Sequence, residues 1–105
     1  MPQVKIYGLK ERLNPIKMEL SDLIHSCMMD ALQYPLHKRA HRFFPMDVVD
    51  FFYPPEPGRT DRYTIIEISM FEGRSIEAKK HLIRLLFDRL NQVGDLRARS
   101  RDYYF

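Results

Sequence analysis

Apolar and polar positions along this chain change period in an order that occurs twice. After Met1-Pro2, Val4 and Ile6 alternate with Lys5 and Tyr7, the period of two that a short, half-buried strand requires. Gly8 to Leu13 reads as a turn, and Asn14-Pro15 as a helix start, with a capping side chain and a proline whose missing N–H costs nothing in a first turn. From Ile16 the period lengthens. Ile16, Leu20, Leu23, Ile24, Cys27, Met28, Ala31 and Leu32 form an apolar stripe at helical spacing, whose default meaning is core. Tyr34-Pro35 ends this helix, a basic connector runs from Leu36 to Arg39, and Ala40 to Phe44 reads as a second strand that Pro45 either ends or marks as an edge. Val48 to Tyr53 reads as a further short extended piece.

Pro54-Pro55-Glu56-Pro57-Gly58 suits neither a helix nor a central strand and is read as the linker between two halves. Beyond it the order repeats. Tyr63 to Ile68 alternates like a strand, Gly73 supplies a turn, and Ser75 caps a helix whose stripe is Ala78, Leu82, Leu85, Leu86, Leu90 and Val93, stopped by Gly94. Asp95 to Arg101 is a basic turn, and Asp102 to Phe105 begins a last strand. Each half is thus strand, arginine-bearing turn, helix, connector, strand. The expected fold is α/β: two fused β-α-β units, residues 1–53 and 63–105 joined by 54–62, forming a four-stranded sheet with both helices on one face. The bare opposite face calls for a partner, and a ring of protomers is one solution.

Composition narrows this picture without redirecting it. A chain of 105 residues with 45% hydrophobic content is one globular domain. A single cysteine, Cys27, leaves no disulfide framework and fits a reducing compartment. The N-terminus has no signal-peptide pattern and no apolar run approaches the roughly 20 residues of a membrane helix, so a cytoplasmic protein is expected. The net charge of +3 comes largely from His37 to Arg42 and Arg97 to Arg101, runs that usually mark solvated faces. Aromatics at Tyr63, Phe71, Tyr103 and Tyr104 make a small basic nucleic-acid-binding module a rival, although no aromatic pair sits mid-strand with glycine neighbours. His37 and His41 lie among Lys38, Arg39 and Arg42 with no carboxylate, so no metal site is expected. No glycine-rich phosphate loop or nucleotide fingerprint is present, and no cofactor is expected.

The ordered set of Pro2 directly after Met1, Tyr34-Pro35, Arg59-Thr60-Asp61 and Glu72-Gly73-Arg74-Ser75 with Lys79 resembles the tautomerase superfamily, the β-α-β proteins related to 4-oxalocrotonate tautomerase. The likeness is to its fused, two-unit branch with malonate semialdehyde decarboxylase and cis-3-chloroacrylic acid dehalogenase. It implies a homotrimer, a small keto or enol acid as substrate, and Pro2 as the catalytic group. With Met1 removed, Pro2 carries a secondary amine that works as base and then acid, provided that nearby cations and low dielectric hold it neutral. In the family the arginine of the Glu-Gly-Arg turn helps bind a substrate carboxylate, and Arg74 occupies that place, beside a helix N-terminus that itself favours anions. Arg12 stands at the corresponding turn of the first half, and Arg39 and Arg42 lie near the place of the single-unit tautomerase's second substrate arginine.

The chain also departs from the branch. Phe71 stands in or next to the place of a second arginine, Lys38 where the decarboxylase has an acidic residue, and Met29 where the dehalogenase has a helix histidine. These changes count against decarboxylation and dehalogenase-type water chemistry. The family runs past the last strand into further pocket residues, so the second unit is expected to be short at its C-terminus. A catalytically silent trimer is the remaining alternative.

Overall fold

The computed structural model describes residues 3–33, 35–53, 61–70, 75–92 and 103–104. Strand β1 (Gln3–Leu9) is followed by the short helix α1 (Lys10–Leu13), a 3-10 turn (Asn14–Ile16), helix α2 (Lys17–Leu32) and strand β2 (His41–Met46). After a second 3-10 turn (Val48–Asp50) come strand β3 (Thr64–Ser69), helix α3 (Ile76–Gln92) and the two-residue strand β4 (Tyr103–Tyr104).

The sheet order is β2-β1-β3-β4. β1 and β2 are parallel, β3 and β4 are parallel, and the two central strands, β1 and β3, run antiparallel. Ile6 pairs with Ile66 at the centre, and Gln3 pairs with Ser69 at one end. The alternation read from sequence sets the faces. Val4, Ile6 and Gly8 are buried beneath the helices, while Lys5, Tyr7 and Leu9 look toward the other side and are half-buried. On the covered side Val4, Ile6 and Ile66 pack with Leu20, Ile24 and Met28 of α2 and Leu82, Leu86 and Leu90 of α3 in one core. On the uncovered face Tyr7 stacks on Phe44 with ring centroids 4.8 Å apart, and the row continues to Ile65 through its pairing with Tyr7.

Several elements differ from the sequence expectation. Gly8 does not open a turn; it pairs with Pro45 and Thr64 inside the sheet, and a Cβ there would meet its nearest neighbours at 3.6 Å, ordinary contact. The chain instead coils at Lys10–Leu13, so Pro15 lies in a 3-10 turn and α2 starts at Lys17, its N-cap Ile16 making no side-chain cap bond. At Pro45 the edge reading holds rather than the strand end: β2 continues through it to Met46, which an outermost strand permits because its other edge needs no donor. Val48 to Asp50 forms a 3-10 turn rather than an extended piece, closed by Asp50 N–H donating to Asp47 O at 2.9 Å. α2 ends where Gln33 takes φ 57°, a left-handed position filled here by a residue other than glycine, with Pro35 just beyond. Ser75 does cap α3: Ala78 N–H donates to its Oγ at 3.1 Å. Val93 and Gly94, read as the end of that helix, lie outside the described residues, as do positions 54–60 of the linker.

Candidate functional site

Of the residues singled out from sequence, the described ones, Arg12, Arg39 and Arg42, fall at three separate places. Pro2 and Arg74 lie outside the described residues, and their chain neighbours Gln3 and Ser75 are described. Gln3 opens β1 opposite Ser69, the last residue of β3, because the two central strands are antiparallel. The same end of the sheet holds Arg42, whose Nη1 donates to Gln3 Oε1 at 3.1 Å. Arg42 pairs with Lys5 in the neighbouring strand, so two cations occupy the uncovered face near the start of β1, with Glu67 across from Lys5 on β3.

Arg12 sits at the opposite end of β1. The strand's seven residues at roughly 3.3 Å each put about 20 Å between the two ends. Helix α1 turns Arg12 toward Asp61, and Arg12 Nε donates to Asp61 Oδ2 at 2.9 Å. That contact leaves both Nη groups of the guanidinium fork without a partner among the described residues, the geometry suited to a carboxylate. Lys10 Nζ pairs with Asp47 Oδ1 at 2.6 Å, and this hydrogen bond raises its pKa. Between the two ion pairs lies a cavity of ≈ 470 Å³, with Leu9, Met46, Phe51 and Tyr53 as its apolar walls. Tyr53 stacks on Tyr63 at 5.3 Å, which fixes one wall.

Arg39 goes elsewhere. Its Nη1 donates to Asp22 Oδ1 at 2.7 Å and to Ser21 Oγ at 3.4 Å, both on α2, so it lies on the helix side of the sheet. Arg39 and Arg42, three positions apart, therefore serve different places, and only Arg42 touches Gln3.

Sequence reasoning passed over the polar seam between α2 and β2. Ser21 Oγ lies 2.8 Å from His41 Nδ1, His25 Nε2 lies 2.8 Å from the carbonyl oxygen of Leu36, and the two imidazoles meet edge to face at 6.0 Å. His41 has its pKa lowered to about 4, by burial first and then by the charges of Arg39 and His25. The available signal was Ser21 and His25 at i, i+4 beside Leu20 and Ile24: a polar pair on the buried face of a helix needs a partner. Cys27 is buried in the core and its thiol pKa is pushed up by desolvation, which makes it inert.

A family model described as "Tautomerase enzyme" matches residues 38–100. Solved structures agree in fold over almost the whole chain. Malonate semialdehyde decarboxylase superposes with a TM-score of 0.79 at 18% identity, covering 97% of this chain and 79% of the other. A second malonate semialdehyde decarboxylase, inhibited by 3-bromopropiolate, gives 0.77 at 20% identity over 97% and 78%. A wild-type fused 4-OT, an asymmetric trimer, gives 0.72 at 18% identity over 97% and 80%. At this identity the likeness to the solved structures is one of fold, and the family follows from the sequence match: the chain belongs to the tautomerase enzyme family.

Proposed function

We propose that this protein is a keto-enol tautomerase of small carboxylate-bearing acids, working through the freed amine of Pro2 in a homotrimer of two-unit protomers (1–53 and 63–105, joined by 54–62). The neutral amine takes the proton next to the substrate carbonyl, leaving an enolate, and the ammonium so formed returns it to a different atom of the conjugated system. Arg74 and Arg42 hold the substrate carboxylate, and their charge disfavours protonation of the resting amine. The observation that carries this reading is the pairing of Gln3 with Ser69 beside Arg42. It brings the chain next to Pro2, and the chain entering residues 71–74, to one end of the central strands. A neighbour crystallised in wild-type, proline-to-alanine mutant and inactivated forms supports the role given to the first residue.

Arg12, about 20 Å from that end by strand length, contributes to a neighbouring protomer's site rather than its own. Val48, Val49 and Phe52 next to its cavity are 72%, 76% and 87% exposed, a surface that another protomer would cover. The fused 4-OT trimer supports this assembly.

The test combines intact mass with ketonisation of phenylenolpyruvate. Loss of Met1, and a fall of about 100-fold or more in kcat/KM for Pro2→Ala, are expected. Arg42→Ala raises KM, whereas Arg39→Ala leaves it unchanged. Retained Met1, or wild-type rates in Pro2→Ala, would leave the catalytically silent trimer as the answer.

A further inference from the structure

The seam between α2 and β2 contains an open groove of ≈ 380 Å³ on the helix side of the sheet, away from Arg42 and Gln3. We propose that this groove is a second binding site, for a small organic anion whose carboxylate or phosphate lies between Lys17 and Arg39 above His41. The apolar body of the ligand rests on Met18 and Phe43.

The charges in the groove are incompletely matched. Lys17 has no acidic partner within ion-pair distance among the described residues. Arg39 is held by Asp22 through Nη1 alone, which leaves Nε and Nη2 without a partner among the described residues. Met18 is 78% exposed at the rim, an apolar surface next to a cationic one. An anion with a short hydrocarbon body matches both.

The hydrogen-bond order within the groove couples such a ligand to a proton. Ser21 Oγ accepts from Arg39 and lies 2.8 Å from His41 Nδ1, so a neutral His41 that carries its proton on Nε2 accepts the Ser21 hydroxyl hydrogen on Nδ1. The groups acting on His41 are Arg39 from the connector and His25 from α2, which disfavour its cation, and Asp22 from α2, which favours it. An anion beside Arg39 screens the first of these. His41 then takes a proton on Nδ1 and donates it to Ser21, whose own hydrogen turns out to the ligand. Binding therefore tightens as the pH falls.

The test titrates the full-length chain with inorganic phosphate and, separately, with butyrate, against chloride at equal ionic strength, following the His41 ring resonances by NMR. At about pH 5, within about one unit of the His41 pKa of about 4, at least one of the two anions is expected to shift them saturably and raise that pKa. Affinity for butyrate, a monoanion at both values, is expected to be weaker at about pH 7.5. A response to phosphate alone assigns a phosphate head group, and one to butyrate alone a carboxylate with an apolar tail. Lys17→Gln, at the half-buried first residue of α2, is expected to weaken binding about tenfold with the urea midpoint unchanged. The same shift with chloride, no shift with either anion, or unchanged affinity in Lys17→Gln would overturn the site.

Discussion

The two long helices occupy equivalent places in the repeat and are almost equal in length, α2 with 16 residues and α3 with 17. Their surroundings differ. α2 buries Leu20, Leu23, Ile24, Cys27, Met28 and Leu32 together with the polar Ser21 and His25, whereas α3 buries the single row Leu82, Leu86 and Leu90, with Ala78, Leu85 and Phe87 half-covered. α2 is gripped on several sides: by the sheet, by β2 through Ser21 and His41, by the connector through His25 and Leu36, and by α3, whose Arg89 reaches Ser26 and Asp30. α3 lies across the core as an amphipathic cover. A duplicated order of elements therefore does not imply duplicated energetics. Among the described residues, the half that carries the N-terminal strand is the more firmly held.

The largest expected effect separates the two cores. Ile24→Ala and Leu86→Ala each remove a fully buried side chain and should cost about 2–5 kcal/mol in urea unfolding. Ile24→Ala is expected at the upper end, because neighbours on every side prevent the hole from collapsing. Equal losses would break the distinction between the helices.

The next effect belongs to the first half and to acid. His41 has a folded pKa of about 4 against about 6.5 unfolded, so the unfolded chain takes the proton first. Its contribution is complete above about pH 6.5 and is lost as the pH falls toward about 4, by about 1–2 kcal/mol once the partial exposure of the ring is allowed for. Urea midpoints measured across this window should fall for the wild type and fall less for His41→Gln. Parallel curves would show that the α2–β2 seam is indifferent to this proton.

The smallest effect compares the two helix starts. Ser75→Ala removes a cap bond made to Ala78 and should cost about 1 kcal/mol, read as a lower Tm. Asn14, the matching residue of the first half, makes no side-chain hydrogen bond among the described residues, and Asn14→Ala should stay within about 0.5 kcal/mol. Similar losses at both positions would restore the symmetry that the structure breaks.

Much of the fold was legible because period is a local property. The alternation of Val4 and Ile6, the stripe from Leu20 to Leu32, and the serine ahead of Ile76 each settle a face or a boundary from neighbours in the chain. The failures cluster between β1 and α2, where the short helix Lys10–Leu13 has no period of its own and is set by what packs beneath it, with Leu13 buried against the sheet. Of the candidate site, the residue types were readable and their grouping was not. Arg39, Arg42 and Arg12 look alike in a string of letters.

The chain's own letters decided the order of elements, the sides of its strands and helices that face inward, and the β-α-β repeat, because burial of apolar surface acts at spacings of two, three and four residues. The folded arrangement alone decided that Arg42 meets Gln3 while Arg39 turns to Asp22, that Arg12 stands a strand's length away, and that Ser21 finds His41. Those outcomes depend on the antiparallel pairing of β1 with β3 and the outermost place of β2. Such contacts join residues far apart in the chain, and no local period encodes them.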